Sequence, residues 1–177
     1  LETLSEPKKV GSVLPSGNLG FRNDFNYKGI NLGFMFSARF GGVVLSQTQA
    51  IMDQFGVSET TAIARDNGGV PVNNGVIDAQ AYYTKVGGSN GLLEDYVYDA
   101  TNLRLQELSL GYTLPAKWFN DAVKINLSVV GRNLWMIYCK APFDPEATAS
   151  TGTYYQGLDY FMQPNQRSFG FNVKVQF

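Results

Sequence analysis

The chain has 177 residues and a formal net charge of -1, with 44 % apolar but only 16 % charged residues; a soluble globular domain usually carries about 25 % charge. It contains no histidine, which excludes Ser-His-Asp and Cys-His catalytic pairs and any His-bearing metal site within the chain. The near-neutral charge gives no reason to expect nucleic acid as a partner. The lone cysteine, Cys139, has no internal disulfide partner and no base to activate it.

Mean hydropathy is -0.14, and no stretch approaches the ~20 apolar residues of a membrane-spanning helix. Low charge without apolar runs arises when apolar residues occupy every second position, as in transmembrane barrel strands. A secreted β-sandwich shares much of this composition, so the pattern along the chain has to separate the two.

Residues 1–17, with Gly, Ser, Pro and Lys, read as loop. From 18 to 27, Leu19, Phe21, Phe25 and Tyr27 alternate with Asn18, Gly20, Arg22, Asp24 and Asn26, the mark of a strand with one apolar and one polar face. Lys28-Gly29 is a two-residue hairpin turn. The second strand, 30 to about 41, has Ile30, Leu32, Phe34, Phe36, Ala38 and Phe40 on its apolar face and Asn31, Gly33, Met35, Ser37 and Arg39 opposite. Its length suits a tilted strand crossing a bilayer in ~9–11 residues.

Between residues 42 and 101 the alternation dissolves into Gly- and Asn-rich clusters, with one short helix expected at Thr48–Phe55 and closed by Gly56. A third strand is expected over 102–114, with Leu108, Leu110, Tyr112 and Leu114 on one face; Arg104 and Gln106 continue that face, which places its outer end above the membrane. Pro115–Ala122 reads as a turn with Trp118 and Phe119 as interface anchors. A fourth strand spans 123–132, followed by an irregular stretch over 133–166. In 167–177, Phe169, Phe171, Val173, Val175 and Phe177 alternate without error with Ser168, Gly170, Asn172, Lys174 and Gln176.

The expected fold is therefore all-β, a transmembrane antiparallel β-barrel segment. About five strands do not close a barrel, since single-chain barrels have even numbers from 8 upward. An open greasy sheet also leaves two edges unpaired in lipid. The chain is expected to be part of a larger barrel or one polypeptide of a split one. With the last strand ending on the periplasmic side, both short turns face the periplasm and both long segments, 42–101 and 133–166, face outward.

The segments YKGINLGFMFSARFGG (Tyr27–Gly42), NLRLQELSLGYTLP (Asn102–Pro115), GRNLW (Gly131–Trp135), FDPE (Phe143–Glu146) and the closing RSFGFNVKVQF (Arg167–Phe177) together resemble the SusC/RagA family of TonB-dependent outer-membrane transporters. The resemblance covers nearly the whole chain and is weakest over residues 1–13 and 70–99. It implies a 22-stranded plugged barrel in the outer membrane of a Gram-negative, Bacteroidota-like bacterium. It further implies a plug domain and a TonB box outside this chain, energy coupling through the TonB complex, a SusD-like surface lipoprotein as lid, and import of glycans or peptides. No cofactor or metal is implied, and no enzyme activity.

Within that frame Phe169, Phe171, Val173, Val175 and Phe177 face lipid, close the barrel and carry the assembly signal. Arg22, Asp24, Arg39 and Lys174 face the lumen. Trp135, Tyr154, Tyr155, Tyr160 and Phe161, in the last outer loop, are candidates for contact with substrate or lid, because aromatic faces stack on sugar rings and Tyr keeps a polar handle. Asp144, Glu146 and Asp159 lack the spacing of a calcium loop and read as turn carboxylates. Two rival readings are a SusC-like barrel serving only as scaffold in a larger complex, and a soluble secreted β-sandwich that binds glycans.

Overall fold

The computed structural model describes residues 8–119 and 123–176; the expected end of the turn at Ala122 and the aromatic terminus Phe177 lie outside the described residues. In chain order come β1 (Gly17–Tyr27), β2 (Ile30–Phe40), β3 (Val43–Ser46), α1 (Gln47–Gln54) and α2 (Glu59–Asp66). A hairpin of β4 (Val70–Val72) and β5 (Gly75–Ile77) precedes α3 (Ala79–Val86) and β6 (Val97–Asp99). Then follow β7 (Asn102–Thr113), β8 (Lys124–Cys139), β9 (Leu158–Asp159) and β10 (Ser168–Gln176). The described residues divide into two compact units: a sheet unit (residues 15–41, 100–144 and 164–176) and a loop unit (8–14, 42–99 and 145–163).

The sheet unit is one antiparallel sheet in the order β1-β2-β7-β8-β10, so these strands meander across it in chain order. Its register stacks the alternating residues into rows. Phe25, Leu32, Leu110, Val129 and Phe171 form one apolar row, and Tyr27, Ile30, Tyr112, Leu127 and Val173 the next. The opposite face carries the polar rows, such as Arg22, Met35, Glu107 and Arg132. Cross-strand pairs of aromatic and β-branched residues each contribute roughly 0.2–1 kcal/mol. A one-residue slip would turn every one of these side chains to the wrong face, so the pattern fixes the register.

Lys28 (φ 47°) and Gly29 (φ 87°) both take positive φ, as a hairpin turn matched to the strand twist requires. A Cβ on Gly29 would lie 2.8 Å from the Thr113 carbonyl oxygen, whose own N–H donates to the Gly29 carbonyl at 2.7 Å. Gly29→Ala is expected to cost about 1–2 kcal/mol, and Lys28→Asn to stabilise the turn slightly. Denaturant midpoints of the detergent-folded protein check both.

Two sequence-based expectations for the sheet are corrected. β8 does not stop at Arg132 but runs to Cys139. Its register with β7 shifts between Leu103 and Arg104 and between Leu105 and Glu107, and Asn133 sits at φ 52°. These irregularities reset the phase of the alternation, which is why period-2 reading loses the strand at Arg132. For the same reason Leu103 and Leu105, not Arg104 and Gln106, continue the apolar face: Leu105 pairs Phe36 and Trp135, and Leu103 pairs Ala38 and Tyr138. Trp135 accordingly lies in a strand and not in the last loop.

The loop unit corrects the expectation of an irregular 42–101 segment. α1 falls within a residue of the expected helix, and Gly56 (φ 68°) follows its end. α2 and α3 were not foreseen, because eight-residue helices hold barely two turns of periodicity. Their starts are nevertheless marked: Ser46, Ser58 and Asp78 each accept the backbone N–H three residues on. β3 pairs with β6 antiparallel and with β9 in parallel, so residues from both long segments share one small sheet. Ala50, Val86 and Tyr96 form its buried core, against which Leu45, Tyr82 and Leu93 pack. The buried Ser46 hydroxyl donates to the Asp159 carboxylate at 2.8 Å, tying β3 to β9.

Candidate functional site

The apolar face of the sheet unit is open. Phe21, Phe25, Leu110, Val129, Phe169, Phe171, Val173 and Val175 are all exposed large apolar residues. Phe34 sits at the centre of an aromatic cluster, 6.3 Å from Phe21, 6.0 Å from Phe25 and 5.5 Å from Phe36, centroid to centroid. Soluble monomers rarely expose contiguous apolar patches above a few hundred Å², and a sandwich would bury this face against a second sheet. The strands are 9 to 16 residues long, enough to cross a hydrocarbon layer. On β10 the expected closure residues Phe169, Phe171, Val173 and Val175 share the apolar face, in register with Gly131, Val129, Leu127 and Ile125.

On the opposite face, Arg22 Nε lies 2.9 Å from Asp24 Oδ2, and Glu107 links Arg22 at 3.7 Å to Arg132 at 3.1 Å. These pairs are largely exposed, so they order a charged surface more than they stabilise it. Arg39 stands in register with Asn18 and Asn102, and Lys174 with Asn126. All four expected lumen residues thus share the polar face.

One charged group is not on an open surface. The bulge turns Arg104 to the polar side, where it is 1 % exposed. Its guanidinium donates from Nη1 to Asn133 Oδ1 and from Nη2 to Asp144 Oδ1, both at 2.7 Å. The backbone N–H and side-chain amide of Asn165 both donate to Asp144 Oδ2 at 3.1 Å, and Asn133 donates to the Asn165 carbonyl. Arg104 therefore joins three segments singled out in the sequence: the NLRLQ strand, the Asn of GRNLW and the Asp of FDPE. Sequence reading put Arg104 at the outer end of the apolar face; the signal it missed was the three-residue step from Leu105 to Leu108, which betrays the bulge. A hollow of about 320 Å³ beside this network is lined by Cys139, Met136, Asn165 and Arg167 among others.

The expected loop aromatics separate. Tyr155 and Tyr160 line one hollow of about 370 Å³ together with Gln47, Ser89, Ser150 and Leu158. Phe161 packs edge-on against Tyr160, ring centroids 5.4 Å apart, and its N–H donates to Thr48 Oγ1. Tyr154 is 93 % exposed and does not line that hollow. Trp135, 60 % exposed, belongs to the apolar sheet face beside Leu105.

No family model matches the chain. Two curated proteins of Formosa agariphila are similar over nearly all of it: "TonB-dependent receptor P3" is 29 % identical over 98 % of the chain, and "TonB-dependent receptor P39" is 25 % identical over 95 %. In each case the match spans 17 % of the relative's own length. Among solved structures, the RagAB peptide importer in its open-open state superposes with a TM-score of 0.67 at 20 % identity, over 94 % of this chain and 18 % of that one. Its closed-closed state gives 0.64 at 21 % identity, over 93 % and 17 %. These relatives are named as receptors and importers, not as enzymes. The fold is thus that of part of an outer-membrane barrel, and the secreted β-sandwich is set aside. Over nearly its whole length the chain is thus similar in sequence to TonB-dependent receptors, and it shares its fold with part of the RagAB peptide importer.

Proposed function

We propose that the chain forms part of the wall and outer loops of a TonB-dependent importer in the outer membrane of a Gram-negative, Bacteroidota-like bacterium. The observation that carries this is the register of the sheet unit, which keeps one apolar face in step across five strands of membrane-crossing length. The Phe face meets lipid, and Phe169, Phe171, Val173 and Val175 on the edge strand β10 continue it to the strand that closes the barrel. Arg22, Asp24, Arg39 and Lys174 face the lumen and a plug supplied by sequence outside this chain. The turn at 28–29 and the segment Pro115–Phe119 are periplasmic, with Trp118, an exposed aromatic, at the interface. The loop unit is extracellular. There Tyr155 and Tyr160, flanked by Tyr154 and Phe161, meet a substrate of the glycan or peptide class, or a SusD-like lipoprotein lid. The two-component RagAB peptide importer supports that partner and the peptide alternative.

Mass spectrometry of the complex purified in detergent from native membranes tests the reading. It is expected to find a plug-bearing barrel and a SusD-like lipoprotein with the chain. Recovery of the protein in the soluble fraction, or alone from the membrane, would overturn it.

A further inference from the structure

The apolar face of the sheet is uneven. Over β1 and β2 the rings of Phe21, Phe25, Phe34 and Phe36 cluster on it. Over β7 and β8 the side chains are shorter. Val129 stands in register between Leu110 and Phe171, and Leu127 between Tyr112 and Val173. A hollow of about 330 Å³ opens there, walled by Ile30, Leu110, Tyr112, Leu127, Val129 and Phe171. Its floor is Gly111 and Ser128, register partners whose positions belong to the opposite face. The walls carry no charge, and the Tyr112 hydroxyl is their one polar side-chain group.

One end of the hollow adjoins the turn at Lys28-Gly29. Ile30 is the first residue after that turn, and the Tyr112 ring lies against it: a Cβ on Gly29 would be 3.4 Å from Tyr112 Cε2. Tyr27 is the register partner of Ile30, and the Lys28 ammonium sits 5.2 Å from the centroid of its ring. Among the described residues no carboxylate forms an ion pair with Lys28. Along the strands the chemistry runs from an apolar hollow, past two tyrosines, to a cation without a counter-charge. We propose that this hollow holds one acyl chain of a membrane phospholipid, with the lipid phosphate paired to Lys28.

The inference rests on the reading that this face meets lipid, and goes beyond it by assigning one retained lipid to one place. Three features select this ligand. A depression with apolar walls on a hydrocarbon-facing surface is filled by hydrocarbon, because water there would lack polar partners. Tyrosine rings belong at the level between acyl chains and headgroups. A lysine at that level attracts anionic headgroups, and its long stem lets the ammonium reach them. A second copy of the barrel docked on the face would bring side chains into the hollow, but the open cation beside it favours a ligand that carries its own anion.

Native mass spectrometry of the intact barrel tests the site, after purification from membranes in detergent, removal of lipid and titration with dioleoyl phosphatidylglycerol. The wild-type barrel is expected to retain one lipid. Val129→Phe fills the hollow while keeping the face apolar, and is expected to weaken retention about tenfold. Lys28→Asn keeps the turn and removes the cation, and is expected to weaken it about fivefold. Leu19→Phe adds similar bulk to β1, away from the hollow, and is expected to change nothing. No lipid retained by the folded wild-type barrel, equal retention in Val129→Phe and Leu19→Phe, unchanged retention in Lys28→Asn, or a pair of barrels in place of the lipid would each overturn the proposal. Any of these in a protein recovered from the membrane overturns this site alone, whereas recovery from the soluble fraction overturns the barrel-wall reading with it.

Discussion

Asp144→Ala is expected to be the most damaging single substitution in the sheet unit, at about 3–5 kcal/mol. The reason is asymmetric. Arg104 and Asp144 are both nearly inaccessible, with side chains 2 % and 7 % exposed. Removing the carboxylate takes the ionic partner away from a buried guanidinium, which keeps its 2.7 Å bond to Asn133. Asp144→Asn should cost less, because it keeps an acceptor for Arg104. The double replacement Arg104→Met with Asp144→Leu should be milder than either alanine variant, since it leaves no uncompensated charge. Unfolding midpoints in detergent, combined as a double-mutant cycle, measure the coupling. Equal effects of Asp144→Ala and of an exposed change such as Asp24→Ala would contradict it.

The second large effect concerns the sheet face. Phe171 lies in the central apolar row with Val129 and Leu110, whereas its neighbour Asn172 points to the polar face. Phe171→Arg is expected to cost about 2–4 kcal/mol in a bilayer, and Asn172→Arg close to nothing. Folding of the two variants into liposomes, compared by protease protection and denaturant titration, provides the measurement. The contrast should weaken in a short-chain detergent, where an arginine reaches water more easily. A soluble sheet would show no dependence on the lipid phase.

The sheet unit was legible because one rule governed it. Wherever lipid or its equivalent lies on one side and a polar space on the other, side chains alternate, and the strands 18–27, 30–40 and 168–176 obey that rule with Asn23, opposite Phe34, as the exception. Reading failed where a bulge shifted the phase. Arg104 in the sequence LRLQELSL looks like a member of the leucine face until one residue is skipped, and the skipped residue, Gln106, is invisible to a period-2 count. Trp135 was displaced into a loop by the same irregularity on β8. The loop unit was least legible. Its order rests on a parallel pairing of Leu45 and Ser46 with Leu158 and Asp159, more than 100 positions apart, and no local pattern announces such a contact. The cap residues Ser46, Ser58 and Asp78 were readable, but short helices flanked by glycine lack the periodicity that would have drawn attention to them.

The phenylalanine face of the sheet is expected to meet hydrocarbon. Spin labels placed one at a time from Ile30 to Phe36 on β2, in a Cys139→Ser background and in reconstituted bilayers, test it by collision with oxygen and with a water-soluble nickel chelate. Oxygen access is expected to peak at positions 30, 32, 34 and 36 and the chelate to be excluded there, with the alternation reversed or damped at 31, 33 and 35. Uniform access of the chelate to both sets of positions would mean that the face is wet, and the barrel-wall account would fall.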